Sequence, residues 1–459
     1  MRRSLLLVAV AAAALLTPAA ASALRVQWMH GAPAPGTPAR YDRVGVLKVG
    51  PAHARNVLVL VPGTSAGSAY FVPLAKWVTS RAPGWQVWSV ERRENLLEDQ
   101  SVLDAAKSGH ASAQQLFDYY LGYLAHPVAH HFTAIPNGEV GFAKQWGMTV
   151  AIGDLRRVVT AAHRLGGRVV LGGHSLGGGV VTAYASWDFG GHPGAAGLSG
   201  LVYIDGGSFG TETAAAARAA LTALDAPTAS PWLSFGGIPA PLAGIFSATG
   251  STAALKYPDA PSLAQRSGLL TSLHLTPTVP VTNLAQYGYA LNVGTSPSGL
   301  AAAQAHLGKG VAARGPVHGW NGAGALTPLR RFAQMFSGTG VSNADGTEWY
   351  FPQRLTDDLG AVGNGTLNPA QQVLGLKALD GRRLPHSLRI YAFGAALGGR
   401  RILQEAAALA RQSRIPRRQV TLVDRHATYA HNDPNGAYPH NAFVDRLVPF
   451  LDGIAREHG

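Results

Sequence analysis

Short, uninterrupted apolar runs recur along this chain, and between several of them apolar residues return every three or four positions. The runs at 57–61 (Val-Leu-Val-Leu-Val), 86–90, 169–171, 201–204, 388–393 and 419–423 have the length and side-chain content of buried strands. Stretches 71–80, 149–165, 180–187, 402–412 and 441–456 carry helical spacing instead. In 149–165, Val150, Leu155, Val158, Val159 and Ala162 share one face, and Gly166-Gly167 ends the run. Strands that are apolar throughout need cover on both faces, which alternating helices supply. The pattern therefore predicts an α/β fold with a doubly wound, mostly parallel sheet. Two further runs, 25–28 and 43–49, flank a Pro/Gly-rich connector and predict an antiparallel opening edge.

The alternation lapses between 206 and 384, where Ala, Gly, Pro, Thr and Ser dominate, charges thin out, and apolar clusters such as 232–238 and 269–275 stand alone. This is too long to be a loop, so an insertion is expected between an N-terminal core part, 24–205, and a C-terminal core part, 385–459. Residues 1–23 read as a secretory signal, with Arg2 and Arg3, an apolar stretch over 5–16, and Ala21-Ser22-Ala23 before the cut. The apolar stretch is too short to cross a bilayer, and no later run reaches the roughly 20 residues a membrane helix needs. A soluble, secreted or periplasmic product without a transmembrane segment is the expectation.

Composition narrows the picture. There is no cysteine, so neither disulfides nor a lipid-modified thiol can hold or anchor an exported chain. The formal charge of +13, less two once Arg2 and Arg3 leave, would attract anionic surfaces and leaves peripheral association with a cell envelope open. No nucleic-acid partner is expected, because the basic residues are scattered apart from Arg400-Arg401 and 411–418, and aromatic residues do not alternate with them. A solvated helical face accounts for that cluster. The charged burst from Glu91 to Glu94 reads as a surface ion-pair network, with a functional role for Arg92 or Arg93 the less expected reading. His126, His130 and His131 do not make a metal site, since Pro127 interrupts the helix and no carboxylate is suitably spaced.

The chemistry concentrates in 168–179, Arg-Val-Val-Leu-Gly-Gly-His-Ser-Leu-Gly-Gly-Gly, which reads as strand, sharp turn and helix with Ser175 at the turn. A serine lifted clear of a sheet in this way requires strand and helix to approach so closely that only hydrogen fits two residues to either side, and Gly173 and Gly177 meet that need. Two further Gly-x-Ser-x-Gly copies, centred on Ser65 and Ser208, also follow strand-like runs. Only Ser175 comes after several strands and an upstream Gly-rich loop, yet ahead of candidate acids and bases.

The Gly-His-Ser-Leu-Gly-Gly run, the upstream Val-Pro-Gly-Thr loop and a late histidine loop together resemble the α/β-hydrolase superfamily. The resemblance spans most of the chain after residue 23 and says little about substrate, since esterases, lipases and peptidases share these parts. It implies an oxyanion hole from the backbone N–H groups of Thr64 and Leu176; an ordinary βα turn is the plainer reading of 62–65. It implies that 206–384 forms a cap or lid, whose apolar content would suit a hydrophobic acyl or alcohol group, against a packing role alone. It implies a histidine base after the last strand. His431 is preferred, because Tyr-Ala-His-Asn-Asp-Pro is similar to the His-x-Asp-Pro loop of some secreted or lipid-directed members; His426 and His440 are the alternatives. The usual acid position, after 388–393, reads Gly-Ala-Ala-Leu-Gly-Gly and is empty. Some members carry the acid one strand earlier, which selects Asp205, with Asp433, Asp424 and Glu405 as alternatives; a brace for the Gly206-Gly207 turn is the plainer role for Asp205.

The expectation is thus a secreted serine hydrolase that cleaves carboxylic or lipid esters through a Ser175–His431–Asp205 triad and an acyl-enzyme, without cofactor or metal. A peptidase of the same fold is the nearer rival, supported by the Gly-Gly-Ser-Phe-Gly echo at 206–210. A catalytically inactive envelope-binding protein is the rival from a different class.

Overall fold

Among the described residues, eight strands build the main sheet: β1 (Gln27–His30), β2 (Arg43–Val49), β3 (Asn56–Val61), β4 (Trp85–Glu91), β5 (Val169–His174), β6 (Gly200–Ile204), β7 (Arg389–Gly394) and β8 (Val420–Asp424). The computed structural model describes residues 24–457, so the expected signal segment, 1–23, lies outside the described residues. Across the sheet the order is β8-β7-β6-β5-β3-β4-β2-β1. The pairs β1–β2 and β2–β4 are antiparallel, and every other pair is parallel. This is the doubly wound, mostly parallel sheet that the sequence pattern predicts.

Alternation along the central strands explains the two layers of cover. Val57, Val59, Leu171 and Leu201 pack against the helix Met148–His163, through Ile152, Leu155, Val158 and Val159, and against Gly399–Gln412. Leu58, Leu60, Val170, Val202 and Ile204 face the helices Val72–Arg81 and Ala442–Arg456. All of these strand residues are buried, each contributing about 1.5–3 kcal/mol relative to exposure. Among the described residues no helix is long and apolar enough to cross a membrane.

One departure from the sequence pattern lies at the opening edge. The run 25–28 is not one strand: Leu24–Arg25 pairs in parallel with Val341–Ser342, and only Gln27–His30 joins the sheet. Val26, buried with Val341 and Ala344, draws the chain aside between them. The long segment between β6 and β7 packs against other parts of the chain. Its helix Ala240–Lys256 packs on the helices Ser101–Lys107 and Ala113–Tyr120, and Trp349, Tyr350 and Trp232 share a third core with Leu103, Leu116, Tyr120 and Trp146.

The charged burst at the end of β4, Arg92 and Arg93 included, is buried, against the expectation of a surface ion-pair network. Their counterions come from remote parts of the chain and draw them inward: Arg93 pairs with Asp154 of the helix Met148–His163 at 2.6 Å and with Asp42 at 2.8 Å, and Arg92 pairs with Glu348 of the insertion. Glu94 lies among these groups beside a small cavity lined by Val61, Val90 and Arg92. Burial first, and the neighbouring Glu348 charge second, push its carboxyl up to about 8 from the ordinary 4.5.

That shift fixes the sign of a pH effect. Between about pH 4.5 and 8 the folded chain retains a proton on Glu94 that the unfolded chain has released, so stability falls as pH rises through this window. Glu94→Gln, which imitates the protonated group, is expected to melt at a higher temperature than the parent at pH 9 and at the same temperature at pH 4. Thermal denaturation at the two pH values checks this, and equal melting of both proteins at pH 9 would refute it.

Candidate active site

Ser175 sits between the end of β5 and the helix Leu176–Ser186 with φ 56° and ψ −127°. Such a backbone costs on the order of 1–3 kcal/mol and persists only where the surroundings impose it. Its N–H donates to the Ile204 carbonyl of the neighbouring strand at 3.1 Å, and its carbonyl accepts from Gly178 N at 2.9 Å. The two glycines are required as expected. A Cβ on Gly173 would lie 2.2 Å from the Gly177 carbonyl oxygen, and one on Gly177 would lie 2.2 Å from that of Val61. Ser175 is half-buried between buried neighbours. Of the two rival serines, Ser208 is 1% exposed beyond β6, and Ser65 occupies the turn after β3.

The structure brings Asp205 and His431 together. His431, on the loop between β8 and the helix Ala442–Arg456, donates from Nδ1 to Asp205 Oδ2 at 2.7 Å, and both side chains are at most 2% exposed. That bond leaves the His431 Nε2 lone pair free to take a proton. The turn after β7, which carries no acid, serves Asp205 in another way. The N–H groups of Ala395 (2.7 Å) and Gly398 (3.1 Å) donate to Oδ1, and that of Leu397 (3.3 Å) donates to Oδ2. Asp205 therefore braces the β7 turn rather than Gly206-Gly207, and the same contacts aim its free edge at the histidine. Ser175 Oγ and His431 Nε2 are not hydrogen-bonded to each other; bonds of this kind often tighten only when substrate is bound.

Other side chains around His431 were not selected by sequence reasoning. His174 Nε2–H donates to the His431 carbonyl at 3.0 Å, and the two rings lie 4.4 Å apart. Burial, then the nearby His431, holds His174 well below the usual histidine range, so it stays a neutral donor. Tyr70 stacks on His174 at 5.2 Å and donates to Asn432 Oδ1 at 2.7 Å. Asn432 Nδ2 in turn donates to the carbonyls of Ala302 (3.1 Å) and Gln304 (3.0 Å) in the insertion. The density of hydrogen-bonding residues in Tyr-Ala-His-Asn-Asp-Pro-Asn was the available signal, although it names no partners.

The remaining candidates are placed elsewhere. Asp433 is fully buried and holds the loop in position, accepting from His306 Nδ1 at 2.5 Å, Thr327 Oγ1 at 2.7 Å and Ala430 N at 2.7 Å. Asp424 and His426 form an exposed pair at 2.5 Å, and that bond, with a second from Arg400, holds the Asp424 carboxyl down at about 2. Glu405 borders a separate small cavity with Ser208 and Tyr203, and burial raises its carboxyl to about 7. His440 is exposed. None of these contacts His431 through a hydrogen bond.

Thr64 and Leu176 flank the serine. Leu176 opens its helix, so its N–H has no partner within that helix. Thr64 follows Gly63, on which a Cβ would stand 2.8 Å from Ser175 Cβ, so the loop backbone runs directly beside the serine. Buried histidine and carboxylate joined at a strand end, near a strained serine at the start of a helix, are groups of the kind that activate a hydroxyl.

No family model and no curated protein matches the chain. Among solved structures it is similar to a putative lipase from Sulfolobus solfataricus, at 14% identity over 93% of each chain with a TM-score of 0.46. It is also similar to a soluble variant of monoglyceride lipase from Saccharomyces cerevisiae, at 12% identity over 95% of this chain and 96% of that one with a TM-score of 0.39. A thermophilic esterase from Thermogutta terrifontis follows at 11% identity, 94% and 99% coverage and a TM-score of 0.38.

The His306–Asp433 contact joins the histidine loop to the insertion and makes that junction pH-sensitive. The Asp433 hydrogen bond raises the His306 pKa above 6.5. The ionic contribution to stability is therefore complete below about pH 6.5 and lost as pH rises through the raised value. His306→Ala is expected to lower the melting temperature more at pH 5.5 than at pH 9, by a modest amount because the side chain is 39% exposed. An equal loss at both pH values would show that the contact has no ionic component.

Proposed function

We propose that this chain is an exported serine hydrolase that cleaves carboxylic esters, lipid esters included, through an acyl-enzyme. The observation that carries the reading is the buried 2.7 Å contact between His431 and Asp205 at the strand end where Ser175 stands in a strained turn. In this reading His431 Nε2 removes the Ser175 Oγ proton as Oγ attacks the ester carbonyl, and Asp205 holds the tautomer and stabilises the resulting imidazolium. The N–H groups of Thr64 and Leu176 receive the oxyanion. His431 then passes its proton to the leaving alcohol, and water, activated by the same histidine, releases the acid.

The insertion serves as the cap. Ala302, Gln304 and His306 touch the histidine loop and Glu348 touches the turn after β3, which supports a role over the site rather than one confined to packing. Its apolar clusters suit a hydrophobic acyl or alcohol group. Export rests on the character of residues 1–23.

Two substitutions test the reading. Ser175→Ala should lose about three or more orders of magnitude in turnover, whereas Ser65→Ala and Ser208→Ala should keep most of it. Asp205→Asn should fold and lose about four orders, because an amide supports neither the tautomer nor the cation. Rates on p-nitrophenyl esters of graded chain length, with matched amides alongside, measure both. Full activity in Ser175→Ala, or cleavage of amides alone, would overturn the proposal.

A further inference from the structure

The turn after β3 owes its shape to a residue that touches neither the serine nor the histidine. Arg92, 8% exposed, spreads its guanidinium over three carbonyl oxygens of that turn: Nη1 donates to Pro62 at 3.0 Å, and Nη2 donates to Gly63 at 2.8 Å and Ala66 at 3.0 Å. Its remaining edge meets Glu348, with Nε donating to Oε2 at 2.8 Å and Nη2 donating to the same oxygen. Glu348 is fully buried and belongs to the insertion, whose backbone also runs along the turn. Glu348 N donates to the Ser65 carbonyl at 3.0 Å, and Gly67 N donates to the Gly346 carbonyl at 3.1 Å.

The Gly63 carbonyl and the Thr64 N–H belong to one peptide group, and a trans peptide is planar with C=O and N–H pointing in opposite directions. Holding the Gly63 oxygen on Arg92 therefore turns the Thr64 N–H away from the arginine. If the peptide flipped, the carbonyl would replace the N–H on that side. Gly63 lacks the Cβ that would resist such a rotation, and the next residue but one, Ser65, already sits at φ 50°. A planar fork with several donors can hold three carbonyls at once, which a lysine ammonium on a flexible stem cannot.

We propose that Arg92 is a positioning residue for the oxyanion hole, and that Glu348, by supplying its counterion from the insertion, makes the hole depend on the seated insertion. The inference rests on the ester-hydrolase reading of Ser175. Glu348 is the only fully ionic partner that Arg92 meets by hydrogen bond among the described residues. Without it the buried guanidinium would keep only the three carbonyls as hydrogen-bond partners and the weaker, unbonded influence of Glu94 and Glu91.

Deleting the pair separates positioning from stability. Replacing both members of a buried ion pair with apolar residues often leaves stability unchanged or higher, so Arg92→Met/Glu348→Met is expected to fold. It should lose about 100-fold in kcat on a short-chain p-nitrophenyl ester with KM little changed, as loss of an oxyanion donor does. Affinity for an alkyl boronic acid, which imitates the tetrahedral adduct on Ser175, should fall in parallel, an effect that looser packing alone would not produce. Arg92→Lys preserves the charge pair and serves if the double variant fails to fold; it too should lose kcat and boronate affinity. A folded variant of either kind with the parent's kcat and boronate affinity overturns the inference while leaving the ester-hydrolase reading intact. A parent protein that neither hydrolyses esters nor is labelled at Ser175 by a fluorophosphonate overturns that reading and this inference with it.

Discussion

Asp205 stands at the end of β6, yet the histidine it meets hangs from a loop that begins two strands further along the sheet, after β8. For one carboxylate to reach across β7, the turn that closes β7 must leave room and must also satisfy the oxygens that do not face the histidine. The sequence Gly-Ala-Ala-Leu-Gly-Gly does both. It has no bulky side chain at its start, and three of its N–H groups point at Asp205. A buried carboxylate left short of partners would cost several kcal/mol, so an acid on β6 and a small-residue turn on β7 are two halves of one solution. The backbone of Asp205 records the same constraint, with φ 43° where a non-glycine residue is uncommon.

The histidine loop is held as firmly as the acid. Beneath it lies His174, neutral and stacked, then Tyr70; behind it lies Asp433, with no free oxygen. Several of these partners belong to the insertion, and the turn after β3 also leans on the insertion through Glu348. The long segment between β6 and β7 is thus not an appendage. It shares a core with the segment between β4 and the helix Met148–His163, and it lends polar partners to both the histidine loop and the turn beside the serine. With this insertion removed, the buried Arg92 would lose Glu348 and the buried Asp433 would lose His306 and Thr327.

How much of this could be read from the chain depended on the range of the interaction. The strands, the main helices and the strand-turn-helix at Ser175 follow from local periodicity and from glycines at a forced close approach, and all but the run 25–28 are where the pattern put them. The selection of Asp205 and His431 came from a resemblance and from the emptiness of one turn, and the two side chains do meet. The fates of Arg92 and Arg93 were not legible. A charged burst at the end of a strand looks the same whether its counterions are solvent and neighbours or, as here, Asp154 and Glu348, the latter 256 residues away. The donors that brace Asp205 were equally hidden, because a run of Gly, Ala and Leu carries no side-chain signal for what its N–H groups will do. Tyr70 and His174 escaped for a related reason: each reads locally as core or as a variable position within the serine motif.

The helix that follows Ser175 shows why such a site cannot be assembled from local preference. Its first turn contains Gly177, Gly178 and Gly179, each costing roughly 1 kcal/mol relative to alanine in a helix interior. The same glycines allow the helix to approach the ends of β3 and β6 at backbone distance, since a Cβ on Gly178 would lie 2.3 Å from the Gly206 carbonyl oxygen. Every residue of this helix is buried, so packing against the sheet offsets what propensity withholds. Close approach also brings the positive end of the helix directly behind the serine. The locally poor sequence and the strained serine are therefore consequences of one requirement: the helix start must lie in contact with two strand ends at once, and only tertiary packing holds it there.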